Sequence, residues 1–166
     1  VLLIPLYTPL TTDEPDNSFS RIFFGGVNVF LQQKSTLFRK TPEWIDSRLD
    51  GPDLLRFAMR FGVKTAPQEL GELTISMLNG EDGFQSKELE KLSGWLRQNY
   101  KPDVICLSNV LLCGLVRRLR RTFDAPIVCT LQGEDFFLDG LPPAQRAQAW
   151  ELLQQRAAEI DAFIGV

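Results

Sequence analysis

The chain has 166 residues, of which 44% are hydrophobic and 23% charged, and its formal net charge is −3 at pH 7. This composition excludes a disordered chain, a collagen-like chain and a disulfide scaffold, and the acidic balance argues against a general nucleic-acid binder. Histidine is absent, which excludes Ser-His-Asp or Cys-His catalysis and histidine zinc sites within this chain.

The first forty residues predict a strand, a long loop and a helix. Val1–Tyr7 is apolar without alternation, a pattern typical of a strand buried on both faces of a parallel sheet. A polar loop follows, and from Gly26 apolar residues recur at helical spacing until Pro42 stops the pattern. The first and last apolar runs both look truncated, so we expect the chain to be part of a larger protein.

A helical insert is predicted around residues 43–84, where an alternating α/β chain would have its second strand. No β-branched run occurs there, and three helical segments take its place: Trp44–Leu49, Asp53–Phe61 and Pro67–Leu78. We expect the insert either to pack on the core or to act as a lid.

From residue 86 onward, helical patterns alternate with apolar runs. The predicted helices are Ser86–Tyr100, Val110–Phe123 and Ala144–Glu159. The predicted strands are Val104–Leu107, Ile127–Leu131 and Ala162–Val166, and Gln132–Pro143 is predicted to be a polar and aromatic loop. Because strands joined through helices form right-handed crossovers, the pattern predicts a mainly parallel sheet in a single α/β domain spanning residues 1–166.

The three cysteines, Cys106, Cys113 and Cys129, lie in apolar runs or a helical pattern. Their spacing fits neither a redox pair nor a metal site. They are predicted to be buried thiols in a reducing compartment, which indicates a cytoplasmic protein.

Ligands of parallel sheets bind outside the carboxyl ends of the strands. One candidate loop contains Gly25-Gly26 followed by Asn28. The glycine pair either turns the chain or lets an anion approach backbone N–H groups at a helix N-terminus. Neither a dinucleotide fingerprint nor a phosphate-binding P-loop is present, so NAD binding and ATP hydrolysis are poorly supported.

Two further candidate loops follow predicted strands. Ser108 and Asn109 either cap the next helix or contact a ligand, and the two roles can coexist. Gln132, Glu134 and Asp135 surround a glycine that permits a tight bend, so they either line the crevice or form a solvated exit from the strand.

A basic cluster lies on the helical pattern Val110–Phe123. Its members are Arg117, Arg118, Arg120 and Arg121. The cluster is either a solvated face or a contact with anionic lipid headgroups, which would place the protein peripherally at the inner membrane face, or with an acidic partner.

Three motifs in this order carry a family resemblance. They are Phe24-Gly25-Gly26-Val27, Lys101-Pro102-Asp103-Val104-Ile105 and Thr130-Leu131-Gln132-Gly133-Glu134-Asp135. The chain resembles, over nearly its whole length, the N-terminal half of the family 4 (group 1) retaining glycosyltransferases, which have the GT-B architecture. The resemblance implies a Rossmann-like three-layer α/β/α fold and an acceptor-side domain whose donor-binding partner domain is not in this chain.

The resemblance also implies a reaction: transfer of a sugar from a nucleotide-sugar donor to a hydroxylated acceptor, with retention and without a metal or other cofactor. Gly25 and Gly26 would offer N–H groups to the donor diphosphate. The implied acceptor and sugar contacts are Asn28, Ser108, Asn109, Gln132, Glu134 and Asp135. The family usually has histidine where this chain has Gln132, and glutamine is no acid or base at neutral pH, so no catalytic residue is assigned.

Two other functions fit the same pattern. One is a non-catalytic, flavodoxin-like binding module, and the other is a sugar-nucleotide epimerase of the same two-domain architecture. A second βα domain of roughly 200 residues with a Glu-x7-Glu motif in the parent protein would favour the transferase.

Overall fold

The computed structural model of the chain describes residues 1–4, 6, 24, 32, 33, 35 and 67–165. The chain forms two compact units, Val1–Lys64 and Thr65–Val166. In the first unit, residues 1–4 have no regular structure, Leu6 forms an isolated β-bridge, and Phe24 is buried with a φ of 55°. Val1 and Leu3 are exposed, so the described part of Val1–Tyr7 is not the doubly buried strand predicted.

Several predictions fall outside the described residues. They concern the loop glycines Gly25 and Gly26, Asn28, and the helical segments Trp44–Leu49 and Asp53–Phe61.

The second unit is a mixed α/β structure whose elements follow one another closely. Its helices are α1 (Pro67–Asn79), α2 (Ser86–Asn99), α3 (Val116–Thr122), α4 (Glu134–Asp139) and α5 (Pro143–Ala157). Its strands are β1 (Ile105–Leu107), β2 (Ile127–Leu131) and β3 (Ala162–Gly165), and 3₁₀ turns occupy Gly80–Asp82 and Val110–Leu115.

The three strands form a small open parallel sheet in the order β1-β2-β3. Ile105 pairs with Ile127, and Cys129 pairs with Phe163. Each pair of neighbouring strands is connected through a helix, as the alternating pattern predicted. All three carboxyl ends therefore lie at one edge of the sheet, which places the loops after β1 and β2 side by side.

Glycines set the distance between α1 and the 3₁₀ helix Val110–Leu115. A Cβ on Gly114 would overlap the carbonyl oxygen of Met77, and a Cβ on Gly80 would overlap the carbonyl oxygen of Gly114. Gly80 also has a φ of +58°, which L side chains rarely adopt. The backbones thus touch directly at the end of α1.

Two local predictions are corrected. The segment predicted as one helix, Val110–Phe123, begins as a 3₁₀ helix and becomes α-helical only from Val116. The segment predicted as a loop, Gln132–Pro143, contains the short helix α4. Gly133, with a φ of +81°, turns the chain into α4, and the acidic residues of its first turn suit the positive end of the helix dipole.

The cysteines are partly as predicted, since Cys113 and Cys129 are buried but Cys106 is exposed. Side chains alternate along a strand, so Cys106 lies on the opposite face of β1 from buried Leu107. Burial raises the pKa of the Cys113 thiol to about 12 and that of Cys129 to about 11.

Among the described helices, none combines the length and apolar character needed to cross a bilayer.

Candidate functional site

The candidate site is the edge of the sheet where β1 and β2 end. Ser108 and Asn109 directly follow β1, and Gln132 directly follows β2. Because β1 and β2 are parallel neighbours, the structure brings these two predicted loops together. Ser108, Gln132 and Asp135 are exposed there, whereas Asn109 and Glu134 are half-buried.

Glu134 links the two loops through both oxygens of its carboxylate. Its Oε1 accepts a hydrogen bond from the backbone N–H of Val110 at 3.0 Å, and its Oε2 accepts one from the backbone N–H of Gln132 at 2.7 Å. Hydrogen bonds to an ionised acceptor are among the stronger ones in proteins. Glu134 thus has a structural role, because this side chain fixes the loop after β2 against the 3₁₀ helix after β1. Its contact with a ligand stays a prediction.

Asn109 caps the 3₁₀ helix. Its backbone is extended, and its side-chain oxygen accepts the N–H of Leu111 at 3.1 Å. This is the capping role that the sequence left as one of two alternatives. The amide nitrogen points to no described acceptor, so the cap leaves Asn109 its hydrogen-bond donors.

An exposed phenylalanine at this edge was missed by the sequence analysis. Phe136, in α4, has an exposed fraction of 85%, while Leu138 two residues later is buried. The signal in the sequence is the pair Phe136-Phe137, because two aromatic residues in one short helix cannot share its single buried face. Phe136 adds an aromatic ring beside the polar loops.

The loops at this edge of the sheet carry negative charge. Residues 106–115 and 129–138 contain Glu134, Asp135 and no lysine or arginine. Burial, and then the negative charge of Glu134, raises the pKa of Cys129 beneath the loop. These segments therefore suit a neutral, hydrogen-bonding ligand better than an anion.

The predicted basic cluster is tied into ion pairs on the surface of the second unit. Arg117 pairs with Glu159, Arg118 with Glu90, Arg120 with Asp161 and Arg121 with Glu81, at N–O distances of 2.7, 3.5, 2.7 and 2.7 Å. The hydrogen bond from Arg120 holds the pKa of Asp161 below its usual range. The arginines thus connect α3 to its neighbours, and contact with anionic lipid or an acidic partner stays a prediction.

The sequence analysis also did not identify a buried arginine. Arg156 of α5 is 3% exposed, and its guanidinium donates from Nε to the carbonyl of Leu78 at 3.2 Å and from Nη2 to that of Asn79 at 3.5 Å. It therefore caps the carboxyl end of α1, where a cation is favoured by the helix dipole. Glu159 lies 3.5 Å from it and balances its charge.

No family model, no curated protein and no solved structure shows significant similarity to this chain.

Proposed function

We propose that this chain is the acceptor-side domain of a retaining glycosyltransferase that uses a nucleotide-activated sugar. The observation that carries the proposal is the joined pair of polar loops at the carboxyl edge of the parallel sheet. Ligands of open α/β sheets bind at this edge. In the proposal the small described sheet belongs to a Rossmann-like, three-layer domain, as the motif resemblance implies.

The side chains at this edge suit the recognition of a sugar or another hydroxylated acceptor. Ser108 and Gln132 are exposed and offer a hydroxyl and an amide, and Asn109 retains its amide donors beside them. Such groups both donate to and accept from hydroxyls. Asp135 adds an acceptor, and Phe136 adds an apolar surface on which a sugar ring can stack.

In the proposal the acceptor and the donor phosphates are bound by different parts of the protein, because the edge of the sheet is negatively charged. Since the described loops carry acids without bases, they are a poor place for a diphosphate. In the proposal the donor phosphates are held by Gly25 and Gly26 and by a second domain outside this chain. Deprotonation of the acceptor is then assisted by the leaving phosphate, since Gln132 cannot act as a base.

The proposal is tested on the full-length protein with a panel of nucleotide sugars, by measuring release of the nucleotide and the anomeric configuration of the product. We expect turnover of at least one donor with retention. Gln132→Ala should lower this turnover at least tenfold, which corresponds to about 1.4 kcal/mol of transition-state binding. Arg146→Ala, an exposed change on α5, is the matched control and should leave turnover unchanged.

Absence of turnover with every donor would favour the binding-module alternative, and interconversion of nucleotide sugars without transfer would favour the epimerase. This chain by itself should be inactive, so sugar transfer by the isolated 166 residues would contradict the two-domain assignment. A full-length Gly26→Val variant that kept normal turnover would remove the proposed phosphate role of the glycine loop.

A further inference from the structure

The first N–H groups of the 3₁₀ helix after β1 are satisfied by two separate parts of the chain. Asn109 accepts the N–H of Leu111 through its side chain at 3.1 Å and the N–H of Leu112 through its carbonyl at 3.3 Å. The N–H of Val110 donates instead to Oε1 of Glu134 at 3.0 Å. Because the first N–H groups of a helix have no partner within it, Glu134 completes the cap that Asn109 begins.

The same carboxylate holds the loop after β2 at its first residue. Oε2 of Glu134 accepts the N–H of Gln132 at 2.7 Å, and the turn at Gly133, with a φ of +81°, lies between the two residues. Leu138, one turn further along the same face of α4, is 1% exposed. The helix is therefore anchored in the core on the side that carries Glu134, so this side chain has a fixed support.

The described partners of this carboxylate are backbone N–H groups and not cations. Residues 106–115 and 129–138 contain no lysine or arginine. Within residues 67–165, none of the ion pairs includes Glu134. What the carboxylate fixes is therefore the spacing between the two backbone segments that donate to it.

These two segments carry amide side chains that the proposed acceptor would meet. Val110 directly follows Asn109, and Gln132 is itself an exposed amide at the end of β2. A carboxylate bonded to both backbones therefore sets the distance between the amide groups of Asn109 and Gln132. Binding of one molecule by both groups depends on that distance, because both must be reached in a single pose.

We propose that Glu134 is a positioning residue for the acceptor. It acts through the backbones of Val110 and Gln132, and it holds the amides of Asn109 and Gln132 at the spacing at which both bind one hydroxylated molecule. This role rests on the proposed sugar transfer. It adds a residue that determines the affinity for the acceptor and leaves the donor, whose phosphates are held elsewhere, unaffected.

Glu134→Gln is the diagnostic change, because glutamine keeps the size of the side chain but its amide nitrogen cannot accept from an N–H group. The full-length protein is assayed with the nucleotide sugar that the donor panel selects and with methyl glucoside, methyl galactoside and methyl mannoside as model acceptors. We expect the acceptor KM to rise about tenfold, since the two amides no longer have one fixed spacing. The donor KM should change by less than about twofold.

This split between the two KM values separates positioning from a loss of folded protein. A purely structural effect lowers the fraction of active enzyme, which lowers the apparent kcat and moves neither KM. The matched control is Asp139→Asn, which removes one charge from an exposed position on the same helix and should leave both KM values unchanged. Circular dichroism of each variant establishes that the fold is retained.

Amide hydrogen exchange of this chain measures the link without catalysis. The N–H groups of Val110 and Gln132 should exchange about tenfold faster in Glu134→Gln, whereas those within α5 should keep their rates. Unchanged exchange at both positions would overturn the positioning role.

The kinetic outcomes distinguish this role from the reaction on which it rests. An unchanged acceptor KM in Glu134→Gln, an equal rise of the donor KM, or an equal rise of the acceptor KM in Asp139→Asn would overturn the positioning role and leave the transferase proposal intact. Absence of turnover by the wild type with every donor and model acceptor would overturn the transferase proposal, and the positioning role would fall with it.

Discussion

The carboxylate of Glu134 accepts the backbone N–H of Val110 across 24 residues of sequence, at 3.0 Å. Its second oxygen accepts the N–H of Gln132 at 2.7 Å, so one side chain joins the segments that follow two neighbouring strands. The candidate edge is therefore held together by a residue that the sequence presented either as part of the crevice lining or as part of a solvated exit from the strand.

Glu134→Ala is expected to lower the free energy of unfolding by about 1–3 kcal/mol, because two backbone donors lose a charged acceptor. Glu134→Gln should recover only part of this loss, since its amide nitrogen cannot accept from an N–H group. Urea unfolding measures both. Asp135→Asn removes the same charge from the exposed neighbouring position, and a loss as large as that of Glu134→Ala would argue against the link between the loops.

Substitution by alanine is expected to have opposite effects on stability at Gly114 and at Gly94. Gly114→Ala is expected to destabilise the second unit by about 1–3 kcal/mol or more, because the new Cβ meets the carbonyl of Met77, which is backbone and cannot move aside. Gly94 lies within α2, and nothing lies within 4 Å of the position that an alanine Cβ would take. Gly94→Ala should therefore stabilise by about 0.5–1 kcal/mol through reduced chain entropy. Thermal unfolding of the two variants should give midpoints shifted in opposite directions.

Arg156 caps the carboxyl end of α1, so its removal is expected to lower the stability of the second unit. Arg156→Met keeps the alkyl stem but leaves the carbonyls of Leu78 and Asn79 without their cation, so we expect a loss of about 3 kcal/mol. Arg146→Met is the control on the same helix, where the side chain is exposed, and it should change stability by less than about 0.5 kcal/mol. Equal effects of the two variants would contradict a specific cap.

The three thiols should react in two classes. In the native protein one thiol per chain, that of exposed Cys106, should react with a thiol reagent near neutral pH, and all three should react after unfolding. Two rapidly reacting native thiols would contradict the burial of Cys113 and Cys129.

The same burial predicts a loss of stability at alkaline pH. The pKa of Cys113 is raised from 9.0 to about 12 in the folded state, so the unfolded chain releases its proton first as the pH rises. The contribution of the Cys113 thiol to the free energy of unfolding is therefore fully present below pH 9, and it is lost as the pH approaches 12. Denaturant unfolding of the wild type and of Cys113→Ala over this range should show a shallower decline in the variant.

The elements of the second unit were largely predictable. The strand Ile127–Leu131 has the predicted bounds, and the helices near Ser86 and Ala144 begin within one residue of the predicted position. Apolar periodicity marks such elements because burial acts on one face of a helix or on both faces of a central strand. The same reasoning failed for Cys106, since an apolar strand does not reveal which of its faces the fold covers.

The candidate edge was predictable only in outline. Placement of Ser108 beside Gln132 followed from alternation alone, because parallel neighbours end at the same edge. The link from Glu134 to Val110 did not follow, since it depends on the turn at Gly133 and on a 3₁₀ helix that periodicity cannot distinguish from an α-helix.

The sequence by itself determined the class of the second unit, the direction of its strands and the two loops that meet at their carboxyl ends, because these depend on local periodicity and on the handedness of the connections. Tertiary structure alone decided that Glu134 joins those loops and that Arg156 caps α1. Each of these depends on contacts between residues distant in the chain. Around α1 the packing also depends on how closely the backbones approach at Gly80 and Gly114 and on the side chain of Gln145 that lies on Gly71.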